Sequence, residues 1–361
     1  MSEQKQRIAK IAKILKNDDE AIILRDNNNV YYYTGFNHSE GTVIITSDKS
    51  YLLVDFRYIE TAKNKVSSCE VVQTNSLLKD ISDILLSSRI TKAYIEASHT
   101  TVTFYNKLKA ELLKADISLD SSETLDLAVE NQRMIKSETE IGYIQKAQNI
   151  TEEAYLQVLN LLKPGVREID IKNELEYLIK KQGGEGASFD LITIAGKNTS
   201  LPHGVPGNNT VKNGDFVTFD IGALYKGYHS DMTRTVSVGN PCQEQKKIYS
   251  IVLDAQLNAL DSIKSGINSS FADKTARDII ENNGYGKCFG HSTGHGVGLD
   301  IHEKPNLSPS GNIILSSGMV VTVEPGIYIE NKFGVRIEDM VLVTDDGYRN
   351  FAKLTKELVV L

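Results

Sequence analysis

The 361-residue sequence contains only three cysteines, Cys69, Cys242 and Cys288, widely separated and odd in number. They make neither a disulfide framework nor a Cys-x-x-Cys site, so a reducing cytoplasm is the expected location. No apolar run approaches the roughly 18 residues needed to span a bilayer, and no membrane partner is expected. Residues Met1–Lys16 interleave lysine with Ile8, Ile11, Ile14 and Leu15. That pattern excludes the uninterrupted core of a secretory signal and predicts an amphipathic first helix. Blocks of lysine and arginine are also missing, and the formal charge of −7 argues against a nucleic-acid partner. What is present, 40% hydrophobic and 24% charged residues, supplies ample core, and the length suits two domains.

The first third alternates short β-rich runs with helical patterns. Ala21–Leu24, Val30–Tyr33, Thr42–Thr46, Tyr51–Val54 and Ala93–Glu96 read as strands, and Arg57–Val66 and Ser76–Leu86 as helices. This predicts a small α/β domain over residues 1–127, followed by a second domain over 128–361. The second opens with a Ser-x-x-Glu capping box, Ser137-Glu138-Thr139-Glu140, and a helix stopping at Lys163-Pro164-Gly165. A further helix runs from about Arg167 to Gln182 and ends at Gly183-Gly184. The domain then repeats itself: Ala154–Gly165 aligns with Ala255–Gly266, and Val217–Gly222 with Val321–Gly326. Each half reads as two helices and a β-hairpin, and each hairpin carries two acids. A pseudo-twofold repeat would converge all four.

Those acids are Asp220 and Asp231 in the first half, Glu324 and Glu338 in the second. Val217, Phe219 and Ile221 alternate with Thr218, Asp220 and Gly222, and a turn is expected at Lys226-Gly227. Asp231 returns on the partner strand. Carboxylates so close resist joint ionisation unless a cation intervenes. The segment Gly290–Glu303 adds three of the chain's seven histidines, His291, His295 and His302, among four glycines that permit close backbone approach. It is neither a dinucleotide fingerprint nor a zincin helix, because the glycine spacing is wrong and Pro305 follows His302-Glu303 too soon. Oxygen-rich donors with one nitrogen suit a pair of divalent ions better than one structural zinc. The competing expectation is that Arg234 and Arg336 neutralise the acids as salt bridges.

Five motifs resemble the creatinase/aminopeptidase P/methionine aminopeptidase superfamily: Phe219–Gly222, Ser230–Thr235, Gly294–Gly298, Val323–Tyr328 and Val335–Asp339. The upstream pieces Asn29–Phe36 and Asp55–Tyr58 are similar to the N-terminal domain of its short bacterial proline peptidases. The resemblance implies an α/β (α+β) architecture: a pita-bread catalytic domain with a pseudo-twofold internal repeat, preceded by a smaller creatinase-like α/β domain. It implies two divalent ions per subunit, Mn²⁺ foremost with Co²⁺ or Zn²⁺ as alternatives. Asp220 would hold one ion, His295 and Glu324 the other, and Asp231 and Glu338 would bridge. Glu324 would also act as the catalytic proton acceptor, with His203, His291 and His302 as further catalytic groups on the substrate. Arg336, Tyr328 and Thr233 would support the ligands or the substrate. His229, His38 and His99 match no such position and are expected to be non-catalytic.

The activity so implied is Xaa-Pro aminopeptidase action on short proline-containing peptides, with Xaa-Pro dipeptidase (prolidase) as the nearest alternative. The stretch Gly35–Thr42 looks closer to short aminopeptidase P chains. Relatives assemble as dimers or tetramers, so a homodimer or larger homo-oligomer is expected. A catalytically inactive binding protein on the same fold is the alternative from another class.

Overall fold

The computed structural model describes residues 2–37 and 40–361. The chain divides into two compact units, Met1–Arg133 and Met134–Leu361. The boundary expected at 127/128 falls inside a helix, Thr124–Met134, on whose last residues the division lies.

The first unit contains α1 (Glu3–Ile11), β1 (Glu20–Leu24), α2 (Asn27–Thr34), β2 (Thr42–Ile45), β3 (Ser50–Val54), α3 (Ile59–Lys65) and β4 (Glu70–Gln73). It continues through α4 (Leu77–Ser87), β5 (Lys92–Ile95), α5 (Val102–Leu113), β6 (Ser118–Asp120) and α6 (Thr124–Met134). Its six strands form one mixed sheet in the order β4-β3-β2-β1-β5-β6. Apolar residues of β1, β2, β3 and β5 pack against Ile81, Leu85, Leu108 and Leu112 of α4 and α5. One expectation fails here, because Val30–Tyr33 is helical. Asp26 caps the helix by accepting from the Asn29 amide, and Gly35 closes it with φ of 72°. Those end signals outweigh the strand preference of a Val-Tyr-Tyr-Tyr run.

The second unit begins with α7 (Glu138–Leu159) and α8 (Glu168–Lys181). Both halves of the Ser137–Glu140 capping box are formed. Six strands follow: β7 (Gly186–Ala187), β8 (Ile192–Ala195), β9 (Asp215–Ile221), β10 (Ala223–Tyr225), β11 (Tyr228–His229) and β12 (Met232–Val238). A second helix pair, α9 (Gln243–Ser262) and α10 (Ser269–Asn282), leads into β13 (Gly294–Gly296), β14 (Glu303–Leu307) and β15 (Val320–Val323). The chain ends with β16 (Gly326–Ile329), β17 (Phe333–Arg336), β18 (Asp339–Val343) and β19 (Tyr348–Asn350). Each pair of helices buries one sheet. Residues of α7 and α8 share a core with Val217, Phe219, Ile221, Met232 and Val236. Residues of α9 and α10 share another with Val321, Val323, Val341 and Val343. Because strand side chains alternate, residues of opposite parity face away from the helices on both sheets.

Candidate metal centre

This alternation selects the site. On β9, Val217, Phe219 and Ile221 enter the helix-side core, so Asp220 is left on the other face. Thr233 of β12 is registered opposite Asp220. Asp231 has the same parity as Thr233 and joins that face. The connecting hairpin turns at Lys226 and Gly227, both with positive φ (52° and 74°), as a two-residue hairpin turn requires. Gly222 allows the strands to converge beside Asp231, since a Cβ there would meet the Ser230 carbonyl at 1.9 Å.

The second half repeats the device. Val323 pairs with Asp339 across β15 and β18. Glu324 and Glu338, one step beyond, take the opposite face. His295 arrives from β13, whose Gly296 is registered with Val321. The close backbone approach expected of these glycines is made between strands. A Cβ at Gly294 would lie 2.0 Å from the Thr322 carbonyl, and one at Gly296 would lie 2.3 Å from that of Lys304.

Asp220, Asp231, His295, Glu324 and Glu338 therefore line one cleft of about 500 Å³, with His203, His291, His302 and Arg336. Donor atoms of Asp231, His295 and Glu338 all fall within 4.8 Å of one another. His295 Nε2 is 3.6 Å from Asp231 Oδ2 and 3.4 Å from Glu324 Oε1. Its Nδ1 is 3.0 Å from the Gly296 carbonyl, which fixes the proton there and leaves Nε2 as a bare acceptor. Burial lowers the His295 pKa to about 4, so the ring is neutral.

The acids show the complementary strain. Burial raises the pKa of Glu324 to about 8, and burial with neighbouring carboxylates raises Asp231 and Glu338 well above the ordinary range. Arg336 is the sole guanidinium or ammonium among the described residues of the cleft wall. It donates to Asp220 Oδ2 (2.6 Å), the Tyr328 hydroxyl (2.7 Å), Thr233 Oγ1 (3.1 Å) and the Pro202 carbonyl (3.3 Å). Arg234 does not enter the cleft. It lies on the helix-facing side and pairs with Asp339 at 2.7 Å. One cation therefore faces the four clustered carboxylates as well as Asp190 on the wall, and neutralisation by salt bridges alone falls short. Glu338 makes the shortage visible at an atom. Its Oε2 accepts from Thr233 Oγ1 at 2.7 Å, while its Oε1 is buried without a hydrogen-bond partner. Unsatisfied carboxylate oxygen, a neutral imidazole lone pair and surplus negative charge are the donor chemistry of a divalent-cation site.

The other expected residues divide into three groups. Tyr328 accepts from Arg336 and donates to His291 Nε2 at 2.9 Å, while His291 Nδ1 is 2.8 Å from the Ser292 carbonyl. Burial takes His291 to about 4 and Tyr328 up to about 12, which keeps both uncharged. His302 packs edge-on to His295 with ring centres 4.4 Å apart, and His203 lies exposed on the wall. His229 and His99 stand elsewhere. His229 bonds Ser188 Oγ at 2.8 Å, and His99 lies 3.4 Å from Asp26 in the first unit. His38 falls outside the described residues. Sequence reasoning missed Asp339, which takes Arg234, Lys356 and Asn350 and so holds the start of β18, next to Glu338. The adjacent acid pair Glu338-Asp339 was the available signal, since neighbours on a strand face opposite ways. Phe189, Asp190, Ile192 and Asn306 of the wall were missed too.

Comparison with known proteins agrees with this geometry. Residues 142–345 match the model of metallopeptidase family M24, and residues 7–135 match the creatinase/prolidase N-terminal domain. A Xaa-Pro dipeptidase of Pyrococcus horikoshii is 37% identical over 98% of this chain and 99% of its own length. The solved structure of a Xaa-Pro dipeptidase from Bacillus anthracis superposes with TM-score 0.94 at 39% identity, covering 99% of both chains. That of an X-Pro aminopeptidase from Thermotoga maritima gives TM-score 0.90 at 32% identity, covering 99% of this chain and 100% of the other. The expected pita-bread domain behind a creatinase-like domain is thus present. The chain belongs to metallopeptidase family M24 and is a hydrolase.

Proposed function

We propose that the chain is a dinuclear metal-dependent exopeptidase that hydrolyses the Xaa-Pro bond at the N-terminus of peptides longer than two residues. Asp220 would hold one ion, His295 and Glu324 the other, with Asp231 and Glu338 between them. Bound there, divalent cations supply Lewis acidity and bring the pKa of water toward neutrality. Glu324, on the cleft face beside His295, accepts the proton of the attacking water and passes it to the departing proline nitrogen. Asp220 and the negative face around it receive the free α-amine of the substrate. His203, His291 and His302 offer hydrogen bonds to the carbonyl oxygen or to the prolyl side. Arg336 keeps Asp220 oriented. Replacing Glu324 by Gln should abolish hydrolysis while the fold persists; retained turnover would remove the proton-transfer role.

The observation that carries the choice of longer peptides is the charge of the wall. A dipeptide ends in a carboxylate at proline and needs a cation to hold it. Arg336 already uses four of its five N–H donors on Thr233, Pro202, Tyr328 and Asp220, and no second lysine or arginine lines the cleft among the described residues. In a longer peptide the same position is a carbonyl, for which histidine hydrogen bonds suffice. The second reading, Xaa-Pro dipeptidase, is favoured by the printed names of the Pyrococcus horikoshii and Bacillus anthracis proteins. Comparing kcat/KM for Ala-Pro-Ala and Ala-Pro decides between them. Preference for the tripeptide is expected, and preference for the dipeptide would reverse the reading. The oxygen-dominated donors suit Mn²⁺ best, with Co²⁺ or Zn²⁺ as alternatives. A cytoplasmic homodimer or larger homo-oligomer acting on short proline peptides completes the proposal.

A further inference from the structure

One wall of the cleft has no part in the reaction as proposed. β8 runs antiparallel to β9 with Ile192 opposite Asp220, and paired residues present side chains on one face of a sheet. Ile192 therefore stands beside Asp220 on the cleft face. Asp190 precedes it by two residues, in the bend that leads into β8, and so lies at most about 7 Å from it. Phe189, Asp190 and Ile192 all line the cleft. The Asp190 side chain is fully exposed. Its ion-pair neighbour, Lys172 Nζ, is 3.8 Å away, beyond hydrogen-bond length, and is shared with Glu176 at 3.7 Å.

We infer that Asp190 selects the residue before proline, favouring a cationic side chain on a long apolar stem over a neutral or acidic one. The inference rests on the Xaa-Pro reading, in which the substrate α-amine sits at Asp220. A side chain that starts there runs along Ile192, and its methylenes pack against Ile192 and Phe189. Its tip meets Asp190 within that span of about 7 Å, which a four-carbon lysine stem can cover. Glutamate at the same place meets a like charge. The contact is remote from the scissile bond and equal in the ground and transition states, so it acts on KM rather than kcat. Exposure limits its size to roughly two- to five-fold, and salt screens it. Lys172 competes for the same carboxylate and weakens the preference.

The test measures kcat/KM for Lys-Pro-Ala, norleucine-Pro-Ala and Glu-Pro-Ala with the metal-loaded full-length protein, wild type, Asp190→Asn and Lys172→Gln. Wild type is expected to rank lysine above norleucine above glutamate, with the differences in KM. Asp190→Asn brings the lysine-to-norleucine ratio close to one, and Lys172→Gln raises it above wild type. A wild-type ratio at or below one, or a ratio that Asp190→Asn leaves unchanged, overturns the inference and leaves the Xaa-Pro reading standing. If none of the three peptides is hydrolysed, the Xaa-Pro reading falls and the inference falls with it.

Discussion

Thr233 and Glu338, 105 positions apart, share a 2.7 Å hydrogen bond that uses one carboxylate oxygen of Glu338. The other oxygen stays buried and unpartnered, on a carboxylate that clusters with Asp231 and His295. The bond crosses between the two halves of the second unit, from β12 to the link between β17 and β18. It fixes the Glu338 carboxylate so that one oxygen is left for a cation. Thr233→Val removes the donor with little change in volume. Metal affinity should fall about 10- to 100-fold, the usual cost of losing a support behind a ligand. Competition with a chelator measures it, and an unchanged affinity would show that the bond is incidental.

The raised carboxylates set a pH dependence whose sign can be worked out. Glu324 has an ordinary pKa of 4.5 and a folded, metal-free value of about 8, raised first by burial. Between those values the folded metal-free protein holds a proton that the unfolded chain has released. The Glu324 contribution to metal-free stability is therefore full at low pH and is lost as pH rises through that window. Cation binding must displace the same proton, so Glu324 alone should raise the affinity by about tenfold per pH unit up to about pH 8. Calorimetric titration of metal-free protein with Mn²⁺ at several pH values measures this. Affinity independent of pH from 5 to 8 would contradict it.

Arg336 is nearly fully buried and is the one permanent cation among the described residues of the cleft. Arg336→Met would leave the half-buried Asp220 without its partner, a change that costs about 1–3 kcal/mol in the metal-free protein. Urea unfolding with and without Mn²⁺ is the measurement. The loss should shrink when Mn²⁺ is present, because the cation then compensates the same charge. An equal loss in both conditions would place the role of Arg336 in packing alone.

Much of this was legible in the sequence for reasons that can be named. The capping box at Ser137 and the turn at Lys226-Gly227 are local devices, read from a few adjacent residues, and both form as expected. The alternation Val217, Phe219, Ile221 assigned Asp220 to the face away from the core because strand parity is also local. Val30–Tyr33 misled because two opposing signals overlapped, strand-favouring side chains inside helix-ending residues. The partners of Arg234 and Arg336 were beyond reach, since which acid each meets depends on how separate strands are registered. Asp190 was hidden for the same reason. Only the pairing of β8 with β9 brings it to the wall beside Asp220.

The four carboxylates, the neutral His295 and the lone Arg336 converge on one claim, that this cleft works through two divalent cations. The most direct measurement strips the purified protein of metal and titrates Mn²⁺ back while following Ala-Pro-Ala hydrolysis. Activity should vanish on stripping and return fully as two equivalents bind per chain. Undiminished hydrolysis by metal-free protein, or full recovery at one equivalent, would contradict the claim.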